Sequence, residues 1–152
     1  MKITCKSARI KDTETILGCM KDFYEQEGIK FNRGKSKEAI ENLIRNRSIG
    51  MLWMILADDI PIGYCCMAFS YTLENYGRDC FLDELYIMPS YRSRGIGSEV
   101  MKLIEAYLIR LGLKAIHLYV NNPNTVAYNY YINNGFHRHK ASYMTKILGE
   151  PV

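Results

Sequence analysis

The sequence predicts a single α+β domain with a mixed β-sheet and helices on both of its faces. Two extended apolar segments are separated only by a turn, a strand, a long helix and a strand follow one another further on, and no repeat, low-complexity tract or Gly/Ser linker divides the 152 residues. The first pair of strands must be antiparallel, and the strand, helix, strand unit requires a parallel, right-handed crossover.

Residues 3–10 read as a strand. Asp12 is placed to cap the following helix, whose inner face carries Ile16, Met20, Phe23 and Tyr24 before Gly28 stops it. Ser36 is placed to cap a second helix with Ile40, Leu43 and Ile44 as its apolar stripe, running out into the polar Arg45-Asn46-Arg47. Strands over 51–57 and 62–71 are joined by the turn Asp58-Asp59-Ile60-Pro61. After a polar loop over 74–79, a strand over 80–88 is ended by Pro89, which lacks a ladder donor and holds its predecessor extended. Tyr91 to Gly97 lead into a long helix with Val100, Ile104, Leu108 and Leu111 inward and Gly112 as its stop. Residues 115–120 form a strand, Asn124 begins a helix ending at Asn134-Gly135, and 136–147 form a last strand that offers an edge for a homodimer.

Composition removes several classes of function. With 48% hydrophobic and 24% charged residues, 4 prolines and 11 glycines, the chain is neither disordered nor collagenous nor fibrous. Twenty basic against 16 acidic side chains leave +4, which favours a polyanion but falls short of a nucleic-acid footprint, so no nucleic-acid partner is expected. Lys2 and Lys6 interrupt the first residues before a signal-peptide core can form, and the longest apolar run, 51–57, is far too short to cross a bilayer. A cytoplasmic location without a membrane partner is the expectation. Cys5, Cys19, Cys65, Cys66 and Cys80 are odd in number, show no C-x-x-C and lie mostly in apolar segments, which points to free buried thiols and to no metal.

Residues 92–98 carry the first chemical signal. They lie where a strand gives way to a helix, so backbone N–H groups point out of the turn along the positive end of a helix dipole. Gly95 and Gly97 remove side chains that would hold a diphosphate off the backbone, and Arg92 and Arg94 add charge-assisted donors. A plain glycine-rich helix start is the bland alternative. A P-loop is excluded because Gly97 is followed by Ser98-Glu99 instead of Lys and Ser/Thr. A dinucleotide fingerprint fails because Val100 stands where Gly or Ala is needed.

Arg92-Ser93-Arg94-Gly95-Ile96-Gly97, read as R-x-x-G-x-G after Leu82-Asp83-Glu84-Leu85-Tyr86-Ile87-Met88-Pro89, resembles the acyl-CoA motif of the GNAT superfamily of N-acetyltransferases. Asn124-x-x-Ala127 followed by Tyr130-Tyr131-x-x-x-Gly135-Phe136 is similar to that superfamily's second CoA-contacting segment, and the order of elements over 3–147 fits as well. The resemblance implies an acetyl-CoA-dependent enzyme that transfers acetyl directly to an amine of a small molecule or protein. It implies coenzyme A contacts at Leu85, Ile87, Arg92, Ser93, Arg94, Gly95, Ile96, Gly97, Ser98, Asn124 and Tyr131, with Ile87 using its main chain on the acetyl group. Splaying of the strands over 80–88 and 115–120 would open the slot for the cofactor. A non-catalytic acyl-CoA sensor of the same fold is the alternative, and an anion- or nucleic-acid-binding domain using Arg92 and Arg94 is a second.

Asn124 and Tyr131 are separated by two helical turns less about 20°, with a rise of about 10 Å, so they share a face. A pantetheine arm along that face can be held by the Asn124 amide and bring its sulfur to the Tyr131 hydroxyl. A phenol with a reference pKa near 10 can protonate the departing thiolate, which makes Tyr131 the candidate general acid. In a chain with 12 tyrosines, burial of the ring against a sheet is the other reading, and it suits Tyr130, which points about 100° away.

An amine acceptor is mostly protonated at neutral pH, so a carboxylate, directly or through a water, is needed to deliver it neutral. Asp83 and Glu84 are the candidates, and on a regular strand only one of them can look into a given face unless a bulge intervenes. The resemblance puts Asp83 first, since family members often carry glutamate there, and Glu84 second. A salt bridge or a cap is the structural alternative for either. His137 and His139 alternate on a strand without a third ligand and read as surface, His117 reads as core sheet, and Cys65 and Cys66 read as packing. Acceptor choice is assigned to the least patterned segments, where Glu25, Glu27, Phe31, Tyr71, Glu74 and Tyr76 would suit a cationic amine.

Overall fold

The computed structural model describes residues 1–121 and 125–149, which fall into two compact units, Met1–Tyr119 and Val120–Val152. In the first, β1 (Ile3–Ser7) pairs antiparallel with β2 (Gly50–Ala57), and β2 with β3 (Ile60–Thr72). The β2–β3 turn is only two residues long: Asp58 and Asp59 sit at φ 47° and 65°, the left-handed pair that matches strand twist in a tight hairpin. β3 pairs antiparallel with β4 (Gly77–Ile87), and β4 pairs in parallel with β5 (Ile116–His117). The sheet order is β1-β2-β3-β4-β5, a five-stranded mixed sheet in an α+β fold.

Every residue of β2 is buried because helices cover both of its faces. Leu52, Met54 and Leu56, with Tyr64 and Tyr86, pack against Ile16, Leu17 and Met20 of α1 (Thr13–Glu27) and Ile40 of α2 (Arg33–Arg45). Burial of each such side chain contributes about 1.5–3 kcal/mol. The alternate residues face α3 (Ile96–Arg110), where Trp53 meets Tyr107 edge-on at 5.8 Å. The stop predicted for α1 holds, since Gly28 adopts φ 67°.

Local chemistry shifts several boundaries. Asp12 does not cap α1 with its side chain; its carboxylate accepts from the Arg9 N–H at 2.8 Å and closes the 3-10 turn Ile10–Asp12, so β1 ends at Ser7 and not at residue 10. Asn32, not Ser36, caps α2, accepting from the Lys35 N–H at 3.1 Å. The earlier start brings Arg33 and Lys37 onto Glu14 of α1, with Lys37 Nζ at 3.2 Å.

The polar run 74–79, expected as a loop, is partly strand, and Asp79 is fully buried at 0% exposure. Its Oδ2 accepts from Thr72 Oγ1 and from Asn75 Nδ2 at 3.1 Å, and lies 3.2 Å from His117 Nε2. Burial alone would raise its proton affinity. The three partners outweigh that and hold the carboxyl below the usual carboxylate value. His117 is therefore a half-buried partner of Asp79 across the β4–β5 pair, more specific than core filling.

Two predicted strands are not realised in full. Over 115–120 only Ile116–His117 pairs, and 136–147 forms no strand; residues 137–149 are exposed and make no ladder among the described residues. Alternating polarity becomes a strand only where a backbone partner is present, so the edge expected for a homodimer is not a strand. In the second unit, α4 (Val126–Asn133) begins after Thr125, whose Oγ1 accepts from the Tyr128 N–H at 3.2 Å. The chain leaves it at Gly135, φ 88°.

Gly63 is required by close approach: a Cβ there would stand 2.0 Å from the Tyr86 carbonyl oxygen of the facing strand. Gly63→Ala should lose about 2 kcal/mol or more in urea unfolding, the scale of overpacking. Gly18→Ala, exposed on α1 with nothing within 4 Å of the added carbon, should gain about 0.5–1 kcal/mol in the same measurement.

The Asp79 network carries a signed pH dependence. Because its folded-state value is depressed, its contribution is complete above about pH 4 and is lost as pH falls through that depressed value. Urea unfolding of Asp79→Asn should show a shallower loss of stability below about pH 4 than the parent chain; parallel acid limbs would count against the network.

Candidate active site

β4 leaves the sheet at Ile87 and enters the 3-10 turn Pro89–Tyr91, where the Tyr91 N–H donates to the Met88 carbonyl at 2.9 Å and the Arg92 N–H to that of Pro89 at 3.1 Å. The chain then turns through Ser93 at φ 60° and Gly95 at φ 74° into α3. The first intrahelical bond runs from the Glu99 N–H to the Gly95 carbonyl at 3.1 Å, so the N–H groups of Ile96, Gly97 and Ser98 have no acceptor within the helix. A Cβ at Gly95 would meet nothing within 4 Å, so the space above this helix end is open. A diphosphate suits such a turn: main-chain donors, the positive end of a 15-residue helix and an exposed Arg94 beside it.

The residues of the motif divide in their roles. Ser93, Arg94 and Gly95 are exposed, Gly97 and Ser98 are half-buried, and Ile96 buries its side chain in the core and offers only its N–H. Arg92 braces the turn. Its Nε donates to the Ile87 carbonyl at 2.6 Å, its Nη2 donates to Gln26 Oε1 at 2.8 Å, and its guanidinium stands 5.4 Å from the Tyr86 ring centroid.

Among the described residues β5 pairs with β4 only at Cys80 and Phe81, so the far edge of β4 past Phe81 has no strand partner there. Successive peptide groups alternate in direction along a strand, and the Met88 N–H points to β3, donating to the Ile62 carbonyl at 2.8 Å. The main-chain groups of Ile87 and Leu85 therefore face the open edge, where the Ile87 carbonyl is held by Arg92 and its N–H faces the opening.

One register shift brings the carboxylates together. Cys66 pairs with Glu84, but Met67 pairs with Leu82, so Asp83 is the extra residue of a β-bulge. Leu82 and Leu85 then face α3 while Asp83 and Glu84 both face the α1 side. Tyr24 Oη donates to Glu84 Oε1 at 2.6 Å and Tyr64 Oη to Oε2 at 2.7 Å. The Cys66 thiol lies near the Asp83 carboxylate. Partial loss of water around them raises both carboxyls above the ordinary value, at Asp83 even though its side chain reaches solvent at the rim; the two phenols oppose it at Glu84, where the Asp83 charge adds to it, and the thiol opposes it at Asp83. Phe31 stands edge-on to Tyr24 at 6.1 Å, so one expected acceptor-segment residue packs on a phenol that bonds Glu84. Glu25 instead pairs with Lys21 at 3.8 Å, and Tyr71 and Tyr76 are exposed toward the β3–β4 turn. Tyr24, Tyr64 and Cys66 were not singled out as site residues by sequence reasoning.

In the second unit Tyr131 is half-buried on α4, its ring 5.5 Å from Phe136 and 5.0 Å from Tyr130, both edge-on. Asn124 lies outside the described residues. All five cysteines are free, and burial pushes the thiols up, to about 11 for Cys5 and Cys19 and about 12 for Cys80, which suits packing and not nucleophilic work. Among the described residues no three His, Cys, Asp or Glu side chains gather as metal ligands, and no helix is long and apolar enough to cross a membrane.

Residues 16–136 match the Acetyltransferase (GNAT) family, and the chain belongs to that family. It is similar to thialysine N-epsilon-acetyltransferase of Mus musculus, 27% identical over 83% of this chain and 79% of that one. It is also similar to spermidine N(1)-acetyltransferase of Thermoplasma acidophilum, 26% identical over 90% and 89%. The fold matches a crystal structure of a predicted acetyltransferase with acetyl-CoA from Clostridium acetobutylicum, with TM-score 0.75 and 19% identity over 95% of this chain and 96% of that one.

The turn before α3 holds two left-handed residues, only one of them glycine. Gly95→Ala should lose about 1 kcal/mol in chemical denaturation although its Cβ meets no atom, and Ser93→Gly should gain up to about 1 kcal/mol. Equal stabilities for all three chains would mean that the turn does not have this backbone.

Proposed function

We propose that the chain is an acetyl-CoA-dependent N-acetyltransferase that passes acetyl directly to a small cationic amine. The observation that carries this reading is the bulge that sets Asp83 and Glu84 on one face of the strand whose edge opens beside the anion-suited start of α3. The fit to coenzyme A rests on the unfilled space above Gly95 and the three first-turn N–H groups, which would hold its diphosphate. Its thioester supplies the activated acetyl group.

A protonated amine has no lone pair to attack with. Asp83, exposed at the rim and raised in proton affinity, takes the proton directly or through a water. The neutral nitrogen would then bond to the acetyl carbon and the carbon–sulfur bond would break. Negative charge gathers on the carbonyl oxygen, and the open Ile87 N–H is the donor proposed to stabilise it. The phenol of Tyr131 is proposed to give its proton to the leaving thiolate and to be restored, through solvent, by the second proton that the nitrogen sheds as the amide forms, and Asn124 to hold the pantetheine arm. Support for a cationic acceptor comes from the paired acids, from Phe81 on the same face of β4 with its ring 4.5 Å from that of Tyr119, and from two relatives named for thialysine and spermidine.

The test is thiol release from acetyl-CoA with a panel of polyamines, diamines, lysine and thialysine, alongside calorimetric titration of acetyl-CoA. Turnover is expected with at least one amine. Tyr131→Phe should lower kcat by about a hundredfold with unchanged acetyl-CoA affinity, and Asp83→Asn should remove the acidic limb of kcat/KM. Binding without thiol release from any amine would favour a non-catalytic acyl-CoA sensor, and absence of both would sink the reading.

A further inference from the structure

Glu84 is bound in a way that Asp83 is not. Its two carboxylate oxygens each accept from a phenol on a different element: Tyr24 from α1 at 2.6 Å and Tyr64 from β3 at 2.7 Å. Tyr64 is fully buried, and Glu84 is the acceptor of its hydroxyl. Burial first and the carboxylate second push both phenols far above their ordinary value, so they stay protonated donors. A protonated Glu84 would put a donor where two donors already point and would lose one of these bonds. Asp83 accepts from neither phenol and its side chain reaches solvent, so proton uptake there breaks neither the Tyr24 nor the Tyr64 bond.

We propose that Tyr24 and Tyr64 are positioning residues for acetyl transfer: by donating to both oxygens of Glu84 they keep that carboxylate ionised and fixed, so that it anchors the acceptor ammonium while Asp83 takes the proton. This rests on the N-acetyltransferase reading and divides the work between the two acids. The groups facing Glu84 are Tyr24 from α1, Tyr64 and Cys66 from β3, and Asp83 on its own strand. Tyr86 stands beside Tyr64 at 6.2 Å, with its hydroxyl 3.5 Å from Gln26 Nε2 and Arg92 over its ring. No lysine or arginine bonds either acid among the described residues, so the phenols are the donors that stabilise the Glu84 charge.

The experiment is a carboxyl-detected carbon-13 titration of the full chain, with the Glu84 signal assigned by its loss in Glu84→Gln. Tyr24→Phe and Tyr64→Phe should each raise the Glu84 midpoint by about one pH unit, the effect of losing one hydrogen bond to a charged group. At a pH below the raised midpoint, KM for the amine should rise about tenfold or more in each variant, while kcat at saturating amine and a pH well above it stays within about twofold of the parent. An unmoved midpoint in both variants overturns the proposal, as does a raised midpoint with unmoved KM. Should the buried Tyr64→Phe fail to fold, Tyr24→Phe decides alone. The titration needs no turnover, so a chain that transfers no acetyl group fails on the function, and a transferring chain with an unmoved midpoint fails on the clamp only.

Discussion

One extra residue in β4 is the constraint on which the candidate site depends. A strand alternates its side chains, so neighbouring carboxylates ordinarily part to opposite faces. The register shift between Cys66 and Met67 breaks that alternation at Asp83, with the rest of β3 and β4 in regular pairing on either side. A bulge of this kind re-aims a side chain without ending the strand. Here it turns an acidic dipeptide into an acidic patch, and it leaves the peptide groups of Leu85 and Ile87 directed at the open edge of the sheet.

Among the described residues that edge has no strand partner past Phe81 because β5 is short. Two paired residues are enough to fix a parallel neighbour at Cys80 and Phe81, and the Asp79 to His117 contact ties the same end together. Past Phe81 the edge of β4 needs some other means of keeping its direction, and Arg92 supplies one, joining the end of β4 to Gln26 of α1 through a fork of charge-assisted bonds. The same arginine that sequence reasoning assigned to coenzyme A is thus also a brace between strand and helix, and the main-chain amides of the turn are what remains most available to an anion.

The sequence made the core elements legible where periodicity was long and unambiguous: the stripe Ile16, Met20, Phe23, Tyr24, the hairpin around Asp58-Asp59, and the helix that starts after Gly95. It also pointed to Asp83, Glu84 and the turn over 92–98. It failed where a local hydrogen bond chose between equal candidates, as when Asn32 displaced Ser36 as a cap. It failed again where a partner decides the outcome, as in the unpaired 136–147. Tyr24 and Tyr64 were invisible as site residues because each sits in an apolar pattern that core packing explains fully; only the strand register that sets Glu84 opposite Cys66, two residues along from Tyr64, which no pattern of polarity encodes, brings Glu84 to their hydroxyls. Asp79 was misread for the opposite reason, since an aspartate in a polar run reads as solvated until Thr72, Asn75 and His117 are found around it.

The acid pair opposes folding, and its persistence has to be offset. Burial of Glu84 opposes its charge, and the neighbouring Asp83 charge adds a smaller repulsion. Each hydrogen bond from a phenol to a carboxylate returns about 1.5–3 kcal/mol, so the Tyr24 and Tyr64 bonds offset that cost without a cation. An arginine in place of either tyrosine would neutralise the patch and stabilise the fold further, but it would also cancel the charge that an incoming ammonium needs to meet. Neutral donors leave that charge in place. The large two-sided core around β2 supplies the stability that allows such an arrangement to stand.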